Sequence, residues 1–231
     1  MDVWTLMNSS GAAVGLVVGA ASILLFVTAA MVSTREFASA RDPVSPPDWI
    51  ARLVTGDVVL GLSTGSQRDD LDNCYEMMGS AYALSRPTVE RHQIAEACST
   101  LATGIAAWSP SNAQAWLVAA AAAAQLDDFG AFNTRLLQSQ ITGPHEQWVA
   151  EMRVELGEAH YAQLDSETRA NHLADLAMLV HSLSGIRSIA ERYLNDPGFR
   201  ERIVAIVETL PEVEQRRFLD TVKMAAFDPP A

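Results

Sequence analysis

The segment whose residue types best suit chemistry is Gly61-Leu62-Ser63-Thr64-Gly65, which fits G-x-S-x-G. Apolar Val58-Val59-Leu60 precedes it and a helical pattern follows. In that setting a serine hydroxyl sits on a sharp strand-to-helix turn and attacks with help from a downstream acid and histidine. The turn works only at the edge of a sheet built from many parallel strands, and this chain supplies no such run of strands. Ser63 therefore reads as part of a Gly/Ser loop between helices, and a serine hydrolase using it stands as the alternative function.

Metal chemistry has even less to build on. His145-Glu146 opens an H-E-x-x-H pattern, but Val149 occupies the position of the second histidine. His172 and His181 are nine residues apart on one helical stretch, which turns them to nearly opposite faces. His92 and Glu96 share a face at i,i+4, as a solvated pair does. Asp69, Asp70 and Asp72 gather at a helix start, where the backbone dipole favours negative charge. The sequence thus gives no reason to expect a catalytic residue, a metal or a cofactor.

The 231 residues carry a net charge of −12, from 28 acidic and 16 basic side chains. All but one of the basic residues are Arg, the exception being Lys223. Such a surface repels phosphate backbones, so nucleic acid is not an expected partner.

Residues Ala12 to Val32 contain no charged side chain, and at about 1.5 Å per residue they cover the roughly 30 Å hydrocarbon core of a bilayer. A cleaved signal peptide is the competing reading. Ala38-Ser39-Ala40 has the small-residue pattern but lies well past the apolar run, and Asp2 stands where a signal peptide carries positive charge. An uncleaved, single-pass anchor is expected. Gly11, Gly15 and Gly19, four apart, form a stripe along which a second helix in the membrane can approach closely. Arg35 and Arg41 follow the span and favour a cytoplasmic location for what comes next, although Glu36 and Asp42 offset them.

Beyond the anchor (residues 1–33), three prolines between Arg41 and Trp49 mark residues 34–49 as a stiff linker. Residues 50–231 read as one all-helical domain. Helices are expected over Asp69–Leu84, Thr88–Ala107, Asn112–Leu126, Phe129–Ile141, Pro144–Tyr161 and Ser166–Leu183. Shorter ones follow near Ile186–Leu194, Pro197–Leu210 and Pro211–Met224. Breaks at Pro87, Pro110, Pro144, Pro197 and Pro211 set most of the boundaries, because proline suits a first helical turn and the residue before it avoids helix. Leu71, Cys74, Met78 and Ala81 line one face of the first of these helices; Ile94, Cys98, Leu101 and Ile105 line one face of the second.

Within this domain, Pro110 and Pro144 are 34 residues apart. Between them lie Ala113, Ala115 and Trp116 at a helix start, six alanines at Ala119–Ala124, Asp128-Phe129 at a turn and Leu136 in a second helix. The segment resembles a tetratricopeptide repeat, whose period is 34. Phe132 departs from the pattern, which has alanine there. The resemblance implies a helical-repeat fold with Trp116, Phe129 and Leu136 as packing residues and a concave face that binds partner proteins. The run TGPHEQWVAEMR after the alanine-rich repeat is similar to small membrane-anchored proteins of this type encoded with proteobacterial surface-polysaccharide machinery. That similarity implies an accessory role in polysaccharide assembly or export.

The expected protein is all-α, a single N-terminal transmembrane helix followed by a repeat-like domain. Its expected role is that of an adaptor or accessory subunit in an inner-membrane envelope complex. A stabilising subunit that acts through its glycine-striped helix is a further alternative. Cys74 and Cys98 are equally far from the break at residue 86, so an antiparallel hairpin sets them at one height. A disulfide between them would place the domain in an oxidising compartment, the periplasm, against the Arg35 and Arg41 vote.

Overall fold

A computed structural model describes residues 3–40, 45–58 and 60–227, with the side chains of 3–13, 38–40 and 46 outside that description. It is 84% helical, and no strand occurs among the described residues. The chain divides into two compact units, 1–70 and 71–231. Residues 50–70, which the sequence groups with the helical domain, fall in the first.

The first unit holds α1 (Val3–Ala40), α2 (Pro46–Thr55) and the opening of α3 (Thr64–Gly79). The 24 residues Val14–Phe37 of α1 are long and apolar enough to cross a membrane, and none is buried against the rest of the chain. Two of the hydroxyls there bond within the helix: Thr28 donates to the carbonyls of Leu24 and Leu25, and Thr34 to that of Met31. In hydrocarbon a polar group must find such a partner. Helix α1 continues through residues 34–40, which the proline-based reading assigns to a linker. α2 begins at Pro46 because Ser45 caps it, and Gly56 ends it at φ 79°, a conformation that glycine adopts without penalty.

The second unit runs from the rest of α3 through α4 (Ala81–Leu84), α5 (Thr88–Trp108), α6 (Ala113–Gln125), α7 (Phe129–Thr142), α8 (Gln147–Ala159), α9 (Ser166–Val180), α10 (Leu183–Asn195), α11 (Pro197–Val207) and α12 (Glu212–Phe227). The single helix expected over Asp69–Leu84 is split, since the Ser80 hydroxyl leaves the helical pattern to accept from the Ala83 N–H. Ala81 is exposed as a result, while Leu71, Cys74 and Met78 are buried. Ser182 caps α10, so the break expected between Leu183 and Ile186 falls three residues earlier, and the chain turns through 116° there. Pro144 lies in a turn ahead of α8, which starts at Gln147.

The core has two parts. In the first, α6 packs between α5 and α7, and Ala119–Ala124 are all buried. α6 and α7 form an antiparallel hairpin: Ser139 Oγ donates to the Ala113 carbonyl at 2.8 Å and Arg135 to that of Ala119 at 2.9 Å. Without side-chain bulk, the alanines let the flanking helices come near enough for such bonds to the α6 backbone. In the second part, Leu176, Leu179, Ile186, Phe199, Ile203 and Phe218 join α9 to α12.

Candidate functional site

Helix α8 stands between the two cores and is fixed by charged groups on its buried sides. Arg153 is 1% exposed and forms a two-pronged pair with Asp175 of α9, both bonds 2.7 Å. Its remaining donors reach the carbonyls of Ser139 and Gly143 at 3.2 and 3.3 Å. Those carbonyls lie at the C-terminal end of α7, where the Gly143 and Glu146 N–H groups also donate to them, so Arg153 adds a charged donor to each. One guanidinium therefore ties α8 to both neighbours.

A turn further along, Glu158 accepts from His172 Nε2 at 2.6 Å and from Arg202 of α11. Burial works to raise its pKa, but the bonds and charges of His172 and Arg202 outweigh that and hold it below the usual carboxylate range. His172 comes this close because position 157 is glycine; a Cβ there would lie 2.8 Å from its Nδ1. The Arg202 guanidinium also stacks 4.0 Å from the Tyr161 ring centroid.

The outward side of α8 is different. Trp148, Glu151, Met152 and Glu155 follow i, i+3, i+4, i+7 spacing and so form one stripe. They face Ser188, Ile189 and Arg192 of α10 across a groove of about 680 Å³, which Asp196 and Phe199 also line. The floor is apolar: Met152, Val154, Ile189 and Phe199. The carboxylates of Glu151, Glu155, Glu191 and Asp196 surround it, against the single cation Arg192. Asp196 caps α11 through the Phe199 N–H. That bond, helped by Arg202 and Arg192, holds its carboxyl below its ordinary value and therefore ionised at neutral pH.

No family model, curated protein or solved structure matches this chain.

The residues singled out from the sequence are distributed as follows. Cys74 and Cys98 are disulfide-bonded and fully buried, with Cα atoms 5.6 Å apart. Trp116 is only half-buried, and its indole N–H donates to the Pro110 carbonyl at 2.9 Å. Leu136 is buried, and Phe129 meets Phe132 edge-on at 6.2 Å. Gly15 and Gly19 are exposed on α1, where a Cβ would meet nothing within 4 Å; the Gly11 position lies outside the described side chains.

Ser63 caps α3, accepting from the Ser66 N–H at 3.1 Å. Its own hydroxyl donates to Glu36 Oε2 at 2.9 Å. Glu36 also accepts from the N–H groups of Leu62 and Ser63 and from the Ser66 hydroxyl, while Arg35 donates to the Leu60 carbonyl. This arrangement clasps the loop to the end of α1, and the serine's partner is a carboxylate where a hydrolase would hold an imidazole.

Sequence reading misses the groove altogether. Its α8 stripe is visible as W-x-x-E-M-x-x-E, but the facing α10 residues are 40 positions away in the chain, and only the tertiary fold brings them together.

Proposed function

We propose that this chain is a membrane-anchored adaptor whose helical domain docks a protein partner. The observation that carries it is the groove between α8 and α10, an open trough with apolar residues among acidic ones, on a helix that buried ion pairs hold in place. Small-molecule sites enclose their ligands, whereas helical-repeat proteins present extended faces to peptides and proteins. The tetratricopeptide-like reading of Pro110–Pro144 is consistent with the α6–α7 hairpin. The similarity of its flanking run to polysaccharide-machinery accessories favours an envelope complex, with a role in assembly or export.

The apolar helix α1 serves in this reading as an uncleaved anchor in the inner membrane. The Cys74–Cys98 bond supports a periplasmic domain, because a disulfide persists only where the surroundings are oxidising. The decisive experiment is recovery of the full chain in a mild detergent, followed by identification of co-purifying proteins. A stoichiometric envelope protein is the expected result. Recovery of the chain alone, together with fluorophosphonate labelling that Ser63→Ala abolishes, would replace the adaptor with a hydrolase.

A further inference from the structure

We propose that the α8–α10 groove receives a linear segment of the partner protein that carries Arg or Lys beside an apolar side chain. This rests on the adaptor reading and adds the chemistry of what is bound.

Charge decides the sign of the ligand. Of the four groove carboxylates, Asp196 is the one whose charge Arg192 offsets. Arg192 is further occupied over the Phe199 ring, 6.0 Å from its centroid. Glu151 accepts a hydrogen bond from Gln147, whose amide brings no positive charge. Glu155 and Glu191 are exposed and form no ion pair among the described residues. Three negative charges are left around an apolar floor, so an anionic segment is repelled and a cationic one is attracted.

Geometry decides the rest. The stripe from Trp148 to Glu155 spans seven residues of helix, about 10 Å at 1.5 Å per residue. An extended peptide covers that length with about three residues at roughly 3.3 Å each. The apolar side chain of such a segment would lie on Met152, Ile189 and Phe199, and its cation would reach Glu155 and Glu191. A free quaternary ammonium ion is a poorer fit, because it is held by several aromatic faces and the groove lining offers two.

The test places photoreactive p-benzoylphenylalanine at Asn195, an exposed position at the groove end, in the full chain within native membranes. The cross-linked peptide is sequenced, synthesised with a fluorophore, and titrated against the detergent-solubilised full chain and its E155K/E191K variant. Both substitutions are at exposed positions, and circular dichroism verifies that the fold is retained. The expected result is a segment from another protein with Arg or Lys within about two residues of an apolar side chain, bound about tenfold or more weakly by the variant. A captured segment without a basic residue, equal binding by the variant, or a segment from a second copy of this chain would each overturn the proposal. So would the absence of any cross-link while a partner still co-purifies, and that outcome would leave the adaptor reading intact. If nothing co-purifies either, both readings fall.

Discussion

Arg153 and Asp175 meet through two 2.7 Å bonds in a core where the two residues are only 1% and 3% exposed. An ion pair so deep gains little net stability over apolar packing, but breaking it strands a charge. Asp175→Ala is accordingly expected to cost about 3–5 kcal/mol in chemical denaturation. The double variant Arg153→Met, Asp175→Leu should recover much of that loss. It will not recover all of it, because the Ser139 and Gly143 carbonyls lose the charged donor that Arg153 supplies and keep only their backbone ones. A loss below about 1 kcal/mol for Asp175→Ala would show that water reaches the pair.

Two carboxylates should give pH dependences of opposite sign. Burial, with the charges of Asp69 and Glu36, lifts Asp70 from 3.8 to about 7. The folded protein then holds this proton longer than the unfolded one, so its stabilising effect is full below the unfolded value and lost as pH rises through about 7. Asp70→Asn should raise the melting temperature above that range and leave it unchanged in acid. Glu158 is lowered, so its contribution is present above its unfolded value of 4.5 and lost as pH falls through the folded one. Glu158→Gln should therefore destabilise at neutral pH, with the gap closing in acid. Thermal melts of both variants across the pH range check the two slopes.

The Cys74–Cys98 bond closes a loop of 24 residues. Replacing both cysteines with alanine should lower stability by about 3 kcal/mol, chiefly by freeing the unfolded chain. Non-reducing mass spectrometry of protein isolated with thiols blocked reports the bond directly. Two free thiols would leave a cytoplasmic domain as the better reading.

Gly15 offers a clean test of association in the membrane. A side chain at this position meets nothing within 4 Å inside the chain, so Gly15→Ile carries no internal clash. Any loss of complex recovery in that variant must come from contact with another helix, where small residues allow backbones to approach. Unchanged recovery would mean the glycine stripe is only composition.

The sequence alone determined the all-helical class and the apolar N-terminal helix, because both follow from local rules. An uncharged run of 21 residues and a 3–4 apolar spacing need no partner to be recognised. Most helix starts were legible for the same reason, from Asn112, Asp128 and Pro197. The break at Ser80 was not, and the one at Ser182 was placed about three residues late, since a serine hydroxyl that caps a new helix competes with one that stays in the old helix, and packing decides between them. Trp116 looked like a core residue by type and position, yet the fold leaves it half-buried with its indole bonded to Pro110. Tertiary structure alone supplied the Arg153–Asp175 and Glu158–His172 pairs, whose members are 22 and 14 residues apart. It alone supplied the groove too. Each charge is unremarkable on its own helix, and what it does depends on which distant helix comes to lie beside it.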